Sequence, residues 1–295
     1  MHITVTERGT FRRCRRMWDY NSFNRQSLAR VVSKGALATG RLVHLALSEW
    51  LQHPEESLVE LYMHFAAMEL EEVKRNYQAT IGVPISDSEL GGVYDAISTG
   101  HTVVTHYEEY YKKPLPEGFS LVAAEVQLSE PIPGTEHFLE GKLDAIVQHA
   151  NGLQYVLEHK TFSVPPRETD LQMNDQFLAY AWMLMRRNGG GRIGGVMYDG
   201  VSKKASSKQG LEGLFHRTVI IRPPEELAEF ERNLQCEADD MAEARIYPNR
   251  QWNGCWDCDY ADLCAVQSRG EDLEYFKGQF FVQRQRTGAI TNDNE

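Results

Sequence analysis

The chain reads as an α/β protein built on a mixed sheet. The first hundred or so residues carry apolar side chains at helical spacing, and from about residue 119 the pattern switches to strands of period two. A third observation is the Asn151-Gly152 pair between two apolar runs, which predicts an antiparallel hairpin with a two-residue turn.

The elements follow in order. Residues 9–30, rich in arginine and aromatics, read as a short opening helical segment. Residues 34–52 have apolar positions three and four apart and predict a strong helix. Residues 55–77 and 87–111 predict two more, each polar on one face. Residues 119–129, 137–148 and 153–161 predict strands, the last two joined by the Asn-Gly turn. Residues 170–187 return to helix, which Gly189-Gly190-Gly191 ends. Residues 192–200 and 213–222 predict strands joined by a Lys/Ser/Gly loop at 202–210. Pro223-Pro224 opens a long acidic helix running to about residue 246. Residues 247–270 read as a loop rich in cysteine and aromatics. These elements divide the chain into a helical N-terminal part (1–115), a core (116–225), a helix with a cysteine segment (226–285) and a flexible polar tail (286–295).

Composition narrows the function. Of 295 residues 42% are apolar and 25% charged, enough for a sizeable core and unlike a disordered chain. No apolar run is long enough for a membrane span and no signal-peptide core opens the chain, so a cytoplasmic protein is expected. There, grouped cysteines point to metal or redox work rather than disulfides. A net charge of −11 argues against a general nucleic-acid coat. Residues 1–34 nevertheless hold Arg8, Arg12, Arg13, Arg15, Arg16, Arg25, Arg30 and Lys34 against Glu7 and Asp19 alone. That segment suits a local polyanion track, or a solvated helix face. The string Gly-x₄-Gly-Lys-Ser/Thr is absent, so no motor is expected.

The chemistry lies in Asp144, Glu158 and Lys160. Each sits in an apolar strand, and burying such charges costs several kcal/mol unless something pairs with them. Glu158 and Lys160 are two apart and share a strand face; Asp144 is within cross-strand reach. His159 points away, but its carbonyl lies between them. Two carboxylates and a carbonyl form a hard oxygen site for Mg²⁺ or Mn²⁺, and Lys160 could orient a water, take its proton or steady transition-state charge. Gln176 and Tyr180 are i and i+4 on the next helix and could hold the water and a phosphate oxygen. His44, on the otherwise apolar early helix, could add a nitrogen ligand that favours Mn²⁺.

Gly40-x₃-His44, Gly141-x₂-Asp144, Glu158-x-Lys160 and Gln176-x₃-Tyr180 together resemble the motif series of RecB-type nucleases in the PD-(D/E)xK superfamily. Leu143-Asp144 stands where that superfamily has Pro-Asp, a departure that leaves the ligand in place. The resemblance implies a restriction-endonuclease-like fold, a mixed sheet flanked by helices, cutting DNA with Mg²⁺ or Mn²⁺. It implies metal binding by His44, Asp144 and Glu158, catalysis by Lys160, and support from Gln176 and Tyr180.

Cys255-x₂-Cys258-x₅-Cys264 is a metal-ligand spacing that lacks a fourth thiolate. Cys14 and Cys236 are the candidates; Cys14, in an Arg- and aromatic-rich segment, is favoured. Spacing does not separate zinc from an iron–sulfur cluster. One cysteine near the N-terminus joined to a C-terminal trio resembles the iron–sulfur nucleases of the RecB/AddB and CRISPR-adaptation kinds, which implies a 4Fe–4S cluster. The cluster would bring the basic segment beside Trp252, Trp256 and Tyr260, as a single-strand platform or simply as its cover.

The expected function is a metal-dependent DNA exonuclease acting on single strands or duplex ends, in recombination, repair, end processing or CRISPR spacer handling. A prokaryotic or phage-infected cell, a helicase, recombinase or CRISPR-adaptation partner, and an oligomer fit this reading. The alternatives are a non-catalytic cluster-bearing DNA-binding subunit and a zinc-stabilised structural domain.

Overall fold

The computed structural model describes residues 1–30, 38–204, 206–250 and 255–284. Lys34 and the start of its expected helix, Trp252, and the tail 286–295 lie outside the described residues. The chain divides into two units. One comprises Met1–Ser33, Ser129–Gly141 and Glu231–Glu295; the other comprises Lys34–Leu128 and Lys142–Phe230.

The second unit opens with three helices. Helix α3 spans Ala38–Gln52, α4 Leu58–Ile81 and α5 Asp87–Tyr111. Ser57 caps α4 by accepting from the Glu60 N–H, and Ser86 with Glu89 forms a capping box on α5. Their apolar faces meet in a core that includes Leu42, Leu47, Trp50, Tyr62, Val104 and Tyr107. Strands β3 (Phe119–Pro131), β4 (Phe138–His149), β5 (Gln154–Phe162), β6 (Gly195–Ser202) and β7 (Phe215–Ile220) follow. β4 and β5 are antiparallel, β5 and β6 parallel, and β6 and β7 antiparallel, so the sheet is mixed; β3 also pairs with β4. The parallel step from β5 to β6 needs a crossover, supplied by α6 (Glu168–Gln172) and α7 (Asp175–Arg187). Every residue of β6 is buried, as a central strand requires.

Two expectations change here. The β4–β5 connection is a three-residue loop: the His149 N–H donates to the Leu153 carbonyl at 3.0 Å, and Gly152 takes φ +85°. A left-handed residue at the third loop position is the usual way to close such a turn. The helix expected over 170–187 is broken at Met173–Asn174, where Asn174 caps a new helix by accepting from the Phe177 N–H at 3.1 Å.

In the first unit, the opening segment is helical in its larger part and flanked by short strands. It is strand β1 (His2–Thr4), helices α1 (Val5–Arg13) and α2 (Arg15–Asn21), and strand β2 (Leu28–Arg30). Thr4 and Glu7 form a capping box that starts α1. β1 runs parallel to the first residues of β4. Helix α8 (Pro224–Glu243) enters this unit at Glu231. Within the stretch expected as a loop over 247–270, α9 spans Ala261–Arg269; beyond it, α10 spans Leu273–Phe280 and β8 (Phe281–Gln283) pairs antiparallel with β2. Tyr20, Leu28, Tyr260, Leu263 and Phe281 form the core they share.

Candidate active site

The site assembles on β4, β5, α3 and α7, all within the second unit. Ala145 pairs with Leu157, so Asp144 and Glu158 lie next to one another at the end of that ladder. Asp144 Oδ2 accepts the His159 backbone N–H at 2.8 Å, which ties the two strands at the site itself. Lys160 Nζ lies 2.6 Å from Glu158 Oε1. On α3, Gly40 comes so close to β5 that a Cβ there would stand 3.2 Å from Thr161 Oγ1. One turn on, His44 Nδ1 reaches 3.5 Å from Asp144 Oδ2. On α7, Gln176 Nε2 donates to the Tyr180 hydroxyl at 2.9 Å. The six side chains named from sequence are therefore gathered around the middle of the neighbouring strands β4 and β5.

Electrostatics separates the two carboxylates. Burial and the Asp144 charge push the Glu158 carboxyl up to about 7, against the pull of Lys160. Burial also pushes Asp144 up, but the hydrogen bond and charge of His44, aided by His159, outweigh it and hold Asp144 below its usual value. Burial and then the Glu158 charge push the Tyr180 phenol well up, so it remains a neutral donor. Glu158 is 2% exposed and its Oε2 is buried with no hydrogen-bond partner. An orphaned carboxylate oxygen beside a second carboxylate is a costly arrangement that a divalent cation relieves, so the donor set fits a hard metal. The fit requires some contraction. Among the described residues the ligand trio within 4.8 Å of one another is the exposed His53, Glu55 and Glu56, not His44, Asp144 and Glu158.

The profile of the PD-(D/E)XK nuclease superfamily matches residues 2–265. The chain belongs to the PD-(D/E)XK nuclease superfamily. Its mixed sheet flanked by helices is the restriction-endonuclease-like arrangement of that superfamily, whose members usually use divalent metals such as Mg²⁺. Among solved structures, this PD-(D/E)XK protein is similar to SSO0001, with 18% identity over 65% of this chain and 80% of that one, and a TM-score of 0.35. It is also similar to a candidate exonuclease from Eubacterium rectale, with 13% identity over 88% of this chain and 87% of that one, and a TM-score of 0.47. No curated protein matches it. No helix among the described residues is long and apolar enough to cross a membrane.

The cysteines form a second grouping, within the first unit. Cys14, at the junction of α1 and α2, lines one cavity of about 580 Å³ with Cys255, Cys258 and Cys264. Cys236 does not line it and is exposed rather than packed. All five thiols are free. Arg16 Nη1 donates to Cys264 Sγ at 3.6 Å, the Asn249 N–H donates to Cys14 Sγ at 3.3 Å, and burial pushes the Cys258 thiol up. Six arginines of the basic segment are ion-paired. Arg8 and Arg12 pair with Glu237, Arg13 with Asp257, Arg15 with Asp240, Arg25 with Asp19 and Arg30 with Asp262.

Sequence reasoning missed Asp199, Arg217 and Tyr107. Asp199 is fully buried on β6, and its signal was available: it is a lone acid in the apolar run Gly-Val-Met-Tyr-Asp-Gly-Val. Burial pushes its carboxyl up, yet Arg217 and His159 hold it far below the usual range.

Proposed function

We propose that this chain is a divalent-metal-dependent deoxyribonuclease that hydrolyses phosphodiesters in single-stranded DNA or at duplex ends. The observation that carries the reading is the convergence of Asp144, Glu158 and Lys160 on the neighbouring strands β4 and β5, with Glu158 Oε2 buried and unpartnered. Asp144 and Glu158, with His44 and the His159 carbonyl, would hold Mg²⁺ or Mn²⁺, which supplies Lewis acidity and an activated water. Lys160, beside Glu158 Oε1, orients that water and steadies the charge that grows on the phosphoryl group. The neutral Tyr180 phenol, oriented by Gln176, donates a hydrogen bond to a phosphate oxygen. The preference for ends rests on the motif series shared with RecB-type nucleases.

End-labelled single- and double-stranded DNA incubated with Mg²⁺ or Mn²⁺ tests the reading. Wild-type protein should shorten the strands, and Lys160→Ala, folded, should lose activity by about a hundredfold or more. Cleavage by Lys160→Ala at the wild-type rate would remove the site assignment. Metal-dependent binding without cleavage by wild type would favour a non-catalytic DNA-binding subunit.

We further propose that Cys14, Cys255, Cys258 and Cys264 hold a 4Fe–4S cluster. Four free thiols lining one cavity support this, as does the resemblance of one N-terminal cysteine and a C-terminal trio to the iron–sulfur nucleases.

A further inference from the structure

Alternation along β5 puts Glu158 and Lys160 on one face and His159 on the other. His159 is 2% exposed, and its imidazole Nε2 is buried with no partner, so the ring is tethered through Nδ1. The tether is Asp199, directly across the parallel β5–β6 pair, with Nδ1 and Oδ2 2.8 Å apart. Asp199 is fixed in turn. Arg217 of β7 donates from Nε at 3.0 Å and from Nη2 at 3.2 Å, and Tyr107 of α5 donates its hydroxyl to Oδ2. The Arg217 guanidinium also stacks 4.0 Å over the Tyr111 ring.

Such a buried ionic group is no cheap way to hold a sheet together: well-packed apolar side chains of similar volume usually do as well or better. What the network achieves is placement. It seats the His159 ring from three elements, while the same residue's peptide N–H donates to Asp144 Oδ2 on the neighbouring strand. We infer that Asp199, backed by Arg217 and Tyr107, is a positioning residue for the candidate metal site, clamping His159 so that Asp144 and Glu158 keep a fixed separation. This rests on the nuclease reading of that site. Outer partners of metal sites commonly change metal affinity or activity by about tenfold to a hundredfold when removed.

The test is Asp199→Asn, assayed by electron paramagnetic resonance titration with Mn²⁺ alone and by steady-state DNA cleavage. A folded Asp199→Asn protein should bind Mn²⁺ about tenfold to a hundredfold more weakly, with kcat reduced at fixed Mn²⁺ and KM for DNA unchanged. Mn²⁺ affinity and kcat within about twofold of wild type would overturn the inference and leave a purely structural role. Should Asp199→Asn not fold, Tyr107→Phe removes one donor and keeps the ring. It should weaken Mn²⁺ binding roughly threefold, and wild-type affinity in it would equally overturn the inference. Wild-type protein that binds no Mn²⁺ would instead bring down the nuclease reading, and this inference with it.

Discussion

Glu158 sets how the metal-free protein responds to pH. Its carboxyl rises from an ordinary 4.5 to about 7 on folding, through burial first and Asp144 second. The folded state therefore holds a proton that the unfolded chain releases. Stability from this group is full below pH 4.5 and is lost as pH climbs to about 7. The loss is at most about 3 kcal/mol. Glu158→Gln escapes it, so in urea melts its advantage over wild type should widen as pH rises through that window; a constant difference would count against the buried, repelled carboxylate. Mn²⁺ should reverse the penalty, raising wild-type stability by about 3 kcal/mol at a hundredfold excess over Kd. Asp144→Asn should show no such rise in a thermal melt. Asp144, Glu158 and Lys160 were legible in sequence because charges inside apolar strands are conspicuous. Asp199 carried the same signal, but its partners Arg217 and Tyr107 lie on other elements, and no local pattern joins them.

Among the elements, the sequence predicts the β4–β5 hairpin in place and direction, and the turn is one residue longer than the Asn-Gly pair predicts. The physical reason is that Gly152 alone takes the left-handed conformation, at φ +85° with open space around its Cβ position. Gly152→Ala should therefore cost about 1 kcal/mol in a denaturant melt through the backbone alone, with cleavage unchanged where the protein is folded. The strongly periodic α5 was read residue for residue. The break between α6 and α7 was not, because tertiary contacts mark it. Arg222, nearly buried, donates to the Leu171, Gln172 and Asn174 carbonyls there. β1, β2 and β8 are three residues each, too short for any period to show.

For the whole molecule, the cysteines give the clearest expectation. Anaerobically prepared protein should be brown, with absorbance near about 400 nm from thiolate-bound iron. Cys14→Ser or Cys258→Ser should bleach it, and Cys236→Ser should not. Colourless protein carrying one zinc would end the cluster proposal. Because the four cysteines come from segments far apart in the chain, losing the cluster should also lower the stability of their unit, read as a fall in Tm.

The sequence by itself determined the mixed α/β class, the order of most elements and the residues that meet at β4 and β5. Periodicity and misplaced charge are local properties that survive in one dimension. Only the tertiary structure decided how the charges are spent. The arginines near the N-terminus are taken up by Glu237, Asp240, Asp257 and Asp262. His159 is clamped by Asp199. Ion pairs and buried tethers depend on which distant segments the fold brings within about 3 Å, and that information is absent from any single stretch of chain.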